Sequence, residues 1–441
     1  LTQVGLNALP NIQETFFDTS SGTLLTENSK YFLVFVLLFM PTFFFGGLFT
    51  LNLRIASGDT DSLSHPVGKA YAINTLGGIV GALGAGLWMI PQFGSSAVLT
   101  VSIVMVLLTV LVFLVPFLAP EKTIVFNKKK RLMLATPAVL LVGITFLLPP
   151  LDFRRVITAG TYYFQPDLGD TQNPPYQYLR EGRSGVVSIV SWNGQDFELQ
   201  KNGLAESDFN PDHPHTLLTE TLLGLSPWLL HPEPRNAFII GLGGATTVRA
   251  LTLTDLTSIR VVELEPLVLD AVRTIHAGEI PALSDPRVEL VLDDARQRLL
   301  LEDRLYDLII SQPSHPWLAG GANLFSREFF RLARNRLTTE GIYTQWLNLF
   351  HMDSQTLQSI LRAFYDEFNY GMSLIVYGES SLLLLGSQTP LRLDTPTLKA
   401  RLTRPAIQEV LDSRDLRQPS DLLRYLALSR EEALQAADRA I

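Results

Sequence analysis

Two acidic strand ends and one glycine-rich bend are the residues of this chain best suited to chemistry. An apolar run, Ala237-Phe238-Ile239-Ile240, leads into Gly241-Leu242-Gly243-Gly244. About twenty residues on, Arg260-Val261-Val262 ends in Glu263-Leu264-Glu265. A third run, Val288–Leu292, ends in Asp293-Asp294. Glycines after a first strand let the backbone approach a ligand, and an acid after the second can accept hydrogen bonds from ribose hydroxyls. An acid at the tip of the third can accept from an adenine amino group, and sequence does not separate Asp294 from its neighbour Asp293 in that role. The set reads as a nucleoside pocket at the carboxyl ends of a parallel sheet. The competing readings are an ordinary strand–helix turn for Gly241 and Gly243, and a solvated strand end for Glu263.

These residues need a sheet to bring them together. Further strands are expected at residues 306–311, 342–347, 372–377 and 382–386. Helices are expected near 247–253, 267–275, 296–301, 326–336 and 354–364. Strands alternating with helices imply a doubly wound α/β layer. Ahead of it, residues 151–235 are rich in turn formers (Asn173-Pro174-Pro175, Asn193-Gly194, Asn202-Gly203). Asn193-Gly194 lies between two short alternating runs, residues 185–192 and 196–200, and signals a hairpin. We therefore expect a small antiparallel lead-in domain at 151–235, a helix over 215–223, the α/β domain at 236–390, and a charged helical tail at 391–441.

The first third differs in kind. The chain has 441 residues, 18% of them charged, and a mean hydropathy of +0.21. The charges are sparse before residue 150 and dense after it. Behind a polar segment at 1–30, four stretches (31–53, 70–90, 97–118 and 132–149) approach the roughly 20 apolar residues that span a bilayer. Residues 31–150 are thus expected to form a membrane domain of about four helices, placing the chain in the cell membrane. None of the four is a cleavable signal, because the first lies behind the polar segment and three more follow. Gly77, Gly81 and Ala85 recur every four residues, a spacing that lets helices pack closely in lipid. No span carries a mid-membrane Asp, Glu, Lys or Arg, which argues against an ion-coupled carrier. Lys122, Lys128, Lys129, Lys130 and Arg131 share one side with Arg54 and Lys69, whereas Arg154, Arg155, Arg180 and Arg183 mark the other. The two signals oppose each other under the positive-inside rule, so sequence leaves the side of the α/β domain open. The first residue is Leu rather than Met, which leaves room for further spans upstream.

A net charge of −8 without a long basic stripe argues against nucleic acid as a partner. The absence of cysteine excludes disulfides, thiolate metal sites and cysteine nucleophiles. His213-Pro214-His215 lacks the further ligands that a metal site needs, so no metal is expected.

Several segments together resemble the polyamine aminopropyltransferases, the spermidine synthase family. They are residues 199–220, 234–249, 261–266, 285–296 and 306–330. Tyr306-Asp307-Leu308-Ile309-Ile310 followed by Asn323-Leu324-Phe325-Ser326-Arg327-Glu328-Phe329-Phe330 is the strongest piece. The apolar third resembles the membrane-fused members through Pro41-Thr42, Gly46-Gly47 and the run Ala70–Gly78. The resemblance implies an N-terminal β domain followed by a methyltransferase-type Rossmann domain. It implies no tightly bound cofactor, with decarboxylated S-adenosylmethionine or S-adenosylmethionine as co-substrate. Gly241 and Gly243 would line the nucleoside and its amino-acid part. Glu263 would hold the ribose diol, and Asp294 would contact the adenine.

The same resemblance places the acceptor side at the loop after the fourth strand, here Ser311-Gln312-Pro313-Ser314-His315-Pro316. The family writes this loop Asp-Ser-Ser-Asp-Pro or close variants. Gln312 stands where the catalytic Asp would be and His315 at the second acid, while Gly244 replaces another family Asp. Glutamine cannot accept a proton near neutral pH, whereas a histidine titrating near pH 6.5 could. Glu220 matches an acid near the amine site, and Ser311 would face substrate. Glu220 read as a helix-surface charge and Trp317 as core packing rather than pocket wall are the plainer alternatives.

Three functions stay open at this point. The chain is an adenosyl-nucleoside-binding, spermidine-synthase-like membrane protein that transfers an aminopropyl group to a polyamine; another S-adenosylmethionine-dependent transferase; or a non-catalytic subunit that packs against partner membrane proteins or a second copy.

Overall fold

The computed structural model describes scattered positions between residues 35 and 53, then 64–118, and 176–438 apart from 192, 210–217, 314, 317–319, 350–351, 377–379, 393 and 413–415. The polar start, the expected span at 132–149, His213, His215 and Trp317 lie outside the described residues, and the span at 31–53 is described only in part. The chain forms two compact units, Leu1–Asn173 with Arg180–Val186, and Pro174–Leu179 with Val187–Ile441.

In the first unit, helix α1 (Ser64–Gly84) passes through a π-helical turn, Ala85–Met89, into α2 (Ile90–Leu118). Among the described residues one run, Val67–Thr109, is long and apolar enough to cross a membrane. Its 43 residues are about twice the number that a bilayer needs. The run is broken inside α2 at Gly94, whose φ of +81° and ψ of 159° are not helical. The expected spans 70–90 and 97–118 are therefore parts of one helical run, separated by this break. Large apolar side chains such as Leu76, Val80, Trp88 and Met105 are all more than half exposed. A helix that is apolar all round has no soluble-protein face to turn outward.

In the second unit, a four-stranded sheet runs in the order β1 (Tyr176–Glu181), β2 (Val186–Val190), β3 (Phe197–Lys201), β4 (Leu204–Phe209). β2–β3 and β3–β4 are antiparallel. The Asn193 side chain accepts from the amides of Gln195 and Asp196, at 2.9 and 2.8 Å, and shapes the first turn. Asn202 and Gly203, with φ of +53° and +78°, form the second. Two consecutive left-handed residues match the twist of a tight hairpin.

After α3 (Leu218–Leu230), strands and helices alternate: β5 (Asn236–Ile240), α4 (Thr246–Thr252), β6 (Ser258–Glu263), α5 (Pro266–Ile275), β7 (Val288–Leu292), α6 (Ala295–Leu301), β8 (Tyr306–Ser311), α7 (Arg327–Asn335), β9 (Leu337–Asn348), α8 (Ser354–Tyr365). Two antiparallel strands, β10 (Tyr370–Val376) and β11 (Ser381–Ser387), follow. Then come α9 (Thr395–Leu402), α10 (Pro405–Asp412), α11 (Pro419–Leu422), β12 (Leu426–Ser429) and α12 (Arg430–Asp438). The sheet order is β7-β6-β5-β8-β9-β11-β10-β12. The first five strands are parallel, and β11, β10 and β12 are antiparallel additions.

The apolar runs explain this layering. Ala237 and Ile239 of β5 enter one core cluster, while Phe238 and Ile240 enter the other. Leu308 and Ile310 of β8 face the first cluster, and Tyr306 and Ile309 the second. A strand buried on both faces reads as a continuous apolar run. Helix starts are set locally: Glu265 caps α5 ahead of Pro266, and Ser326, Asp353 and Asp394 cap α7, α8 and α9.

The tail holds the expected helices and adds a strand. Its strand β12 extends the sheet by pairing with β10. Arg401 of α9 is buried and donates to the carbonyls of Trp228 at 2.5 Å, His231 at 2.7 Å and Pro232 at 2.8 Å. Its guanidinium also lies over the Trp228 ring, 4.9 Å from the centroid. Carbonyls at the end of α3 and in the turn after it, which have no partner inside the helix, are satisfied in this way. Arg401→Ala leaves them buried and unpaired, so we expect a loss of about 3 kcal/mol of unfolding stability. Urea unfolding of the full chain in detergent checks this; an unchanged midpoint rejects the tail as a clamp.

Candidate nucleoside-binding site

The site lies where the strand order reverses. The chain runs outward from β5 to β6 and β7, then returns to β8 on the other side of β5. In open α/β sheets the crevice at the carboxyl ends of such strands is where ligands bind. The two loops that border it touch. The Gln312 amide donates to the Ile240 carbonyl at 3.0 Å, and the Gly241 amide to the Val262 carbonyl at 2.9 Å.

The glycine bend is a true left-handed turn. Gly241, Gly243 and the non-glycine Ala245 have φ of +91°, +53° and +68°. A side chain at either glycine would also lack room, because a Cβ on Gly241 would lie 3.0 Å from the Gln312 carbonyl oxygen, and one on Gly243 3.0 Å from Gln312 Nε2. Both glycines are thus required by conformation and by close approach.

Glu263 ends β6 with its carboxylate turned back onto the protein. Oε2 accepts from the Leu242 amide at 2.8 Å and Oε1 from the Glu265 amide at 2.8 Å. The side chain joins the glycine bend to the loop after β6, and only 8% of the residue is exposed. Burial raises its pKa above 4.5; the amides of Glu265, Leu242 and Leu264 and the charge of Lys201 oppose that rise.

Asp294 caps α6, its Oδ1 accepting from the amides of Arg296 and Gln297 at 2.8 and 3.1 Å, and it is exposed. Asp293 is engaged differently: it pairs with Arg298 at 2.6 Å, and its amide donates to the Glu263 carbonyl at 3.0 Å. The two neighbouring acids, equivalent in the sequence, therefore have distinct surroundings.

The acceptor-side residues are buried. Gln312 Oε1 accepts from the Thr247 hydroxyl at 2.6 Å, and the Glu220 main-chain carbonyl lies 3.2 Å from the same hydroxyl. Ser311 ends β8 in the core. His315 lies 3.2 Å, through Nε2, from the Ala205 carbonyl of β4. The structure thus brings Gly241 and Gly243 against Gln312, and Gln312 and the Glu220 backbone against Thr247. Glu263 reaches the same bend through Leu242. Asp294 stands apart, at the end of β7.

Three residues that the sequence reading passed over complete this corner. Thr247 was visible only as a helix-start residue. Ser207 and Phe209 of β4 cover Gly244: the Gly244 amide donates to Ser207 Oγ at 3.0 Å. A Cβ there would come within 2.8 Å of that oxygen and 3.0 Å of Phe209 Cδ1. No local signal marks such contacts, since they join strands 37 residues apart.

Residues 217–377 match the spermine/spermidine synthase domain. Among curated relatives, a polyamine aminopropyltransferase of Clostridium perfringens is 34% identical over 117 residues, 26% of this chain and 41% of the relative. One of Thermococcus onnurineus is 31% identical over 157 residues, 35% of this chain and 55% of the relative. The chain thus spans about half the length of the curated relatives it matches. Among solved structures, the spermidine synthase of Thermotoga maritima has a TM-score of 0.50 at 17% identity, covering 59% of this chain and 88% of its own. A spermidine synthase in complex with the transition-state analogue AdoDATO has a TM-score of 0.51, also at 17% identity and with the same coverage. These structures establish the fold: a Rossmann-like, methyltransferase-type α/β layer with mostly parallel strands.

The buried acid makes a pH prediction. With its pKa raised in the fold, Glu263 takes up its proton at higher pH folded than unfolded. Its contribution is complete below the unfolded value of 4.5 and is lost as pH rises through the folded value. Relative to Glu263→Gln, which does not titrate, the wild type should lose stability over a window that opens at pH 4.5 and extends upward. Melting temperatures of both proteins across that window test it; curves that stay parallel refute the raised pKa.

Proposed function

We propose that this chain is a membrane-bound, spermidine-synthase-like protein whose α/β unit binds an adenosyl nucleoside of the decarboxylated S-adenosylmethionine or methylthioadenosine type. One observation carries the reading: the carboxylate of Glu263 is already held by the Leu242 and Glu265 amides at the switch point. Each carboxylate oxygen has two lone pairs, so a ribose diol can still be accepted there. Asp294, one strand over, would take the adenine, and Gly241 and Gly243 allow close approach. The likeness of residues 217–377 to aminopropyltransferases supports the same ligand class.

The reaction that such a site supports is transfer of an aminopropyl group from a sulfonium donor to a polyamine nitrogen, with Glu220, Ser311, Gln312 and His315 on the acceptor side. Proton removal from the amine needs a base, and Gln312 does not supply one. Turnover is therefore slow in this chain and limited at residue 312. The outward-facing apolar run Val67–Thr109 and the apolar stretches flanking it in the sequence favour a multi-pass anchor in the cell membrane. Gln312 and Gly244 favour a second reading, a subunit that binds a nucleoside without catalysis.

Methylthioadenosine at about a hundred times its Kd should raise the melting temperature of the purified protein by several degrees. Glu263→Ala should abolish that shift, and an undiminished shift removes Glu263 from the site. With putrescine and decarboxylated S-adenosylmethionine, Gln312→Asp should raise turnover by about tenfold or more. Turnover in neither protein leaves the non-catalytic reading.

A further inference from the structure

The corner between β5 and β8 is already filled by the protein. We propose that Gln312 determines specificity, closing the 5′ end of the cleft so that this chain prefers an adenine nucleoside with a short, uncharged 5′ substituent over one with a charged alkylsulfonium chain. The proposal rests on the nucleoside-binding reading above and narrows its ligand.

The strand order supplies the direction. In the series β7-β6-β5-β8, Asp294 follows the first strand, Glu263 the second, the glycine bend the third and Gln312 the fourth. With the purine at β7 and the ribose at β6, the 5′ carbon points toward the bend and Gln312. Little room remains there. Gln312 Nε2 would be 3.0 Å from a Cβ on Gly243, and Gln312 Cγ 3.2 Å from one on Gly241. Ser207 and Phe209 close off Gly244 from the other strand pair. The Gln312 side chain is also not free to leave: it is buried, and the Thr247 hydroxyl pins its oxygen at 2.6 Å.

Pinning the oxygen decides which end of the carboxamide is presented. Nε2, a donor, faces the bend, so a cationic chain would meet N–H groups where it needs acceptors. Entering the corner would also strip water from the cation, and the carboxamide of Gln312 offers it no counter-charge, a cost that a methyl thioether avoids. A longer charged substituent must first break the Thr247–Gln312 bond.

Isothermal titration of the full chain in detergent tests this with two probes, 5′-methylthioadenosine and decarboxylated S-adenosylmethionine. The wild type should bind the neutral probe at least about tenfold tighter. Gln312→Ala should bring the two affinities to within about threefold, mainly by tightening the charged probe. Thr247→Val, which releases the carboxamide but leaves it in place, should move the ratio the same way. Equal affinities in the wild type, or a ratio unmoved by both variants, overturn the proposal while leaving nucleoside binding intact. Failure of the wild type and both folded variants to bind either probe overturns the nucleoside-binding reading, and this proposal with it.

Discussion

One buried carboxylate ties the functional end of the sheet together. Glu263 accepts amides from two separate loops, Leu242 in the bend after β5 and Glu265 in the loop after β6. A carboxyl group this deeply buried persists only where hydrogen bonds replace its water. Those bonds come from backbone that is itself fixed: Gly241 donates to Val262, and Asp293 to the Glu263 carbonyl. The positions of Gly241, Gly243 and Asp294 are therefore consequences of how this acid is solvated. Hydrogen bonds from main-chain amides to one side chain fix the two loops against each other.

The second constraint works against the first. Open α/β sheets take ligands at such a switch point, yet here its β5–β8 corner is lined by Gln312, held by Thr247, and its glycine bend is covered by Ser207 and Phe209. An aspartate at 312 would carry charge into this buried corner and demand a cationic partner there. A glutamine, uncharged and one methylene longer, reaches the glycine bend and accepts from Thr247 without that demand. The two side chains thus differ in charge and in reach while the strands around them could stay the same, since function lives in sites carried by a fold.

Much of the α/β layer was legible because its strands are apolar on both sides. The expected runs 288–292 and 306–311 coincide with β7 and β8, and the helices expected at 267–275, 326–336 and 354–364 start within a residue of α5, α7 and α8. β9 begins five residues earlier than expected, at Leu337 rather than 342. The hydrophilic stretch Thr338-Thr339-Glu340 hid that start, and the sheet holds it by pairing rather than by propensity. β4 and β12 were not read as strands, because Leu204–Phe209 and Leu426–Ser429 are short and mixed in polarity. In the apolar region, the gap expected between 70–90 and 97–118 falls at Gly94, where non-helical backbone angles break the run.

By itself the sequence determined the alternation of strands and helices, the apolar character of Val67–Thr109, and which residue types stand at the ends of β5, β6, β7 and β8. Those follow from local periodicity and from residues whose chemistry does not depend on their neighbours. The tertiary structure decided what each side chain does: Glu263 joins two loops, Asp293 pairs with Arg298 while Asp294 caps a helix, Gln312 fills the glycine bend, and Arg401 closes the end of α3. Each of those roles depends on a partner brought close by strand order or by packing from elsewhere in the chain, and a linear pattern carries no record of that distance.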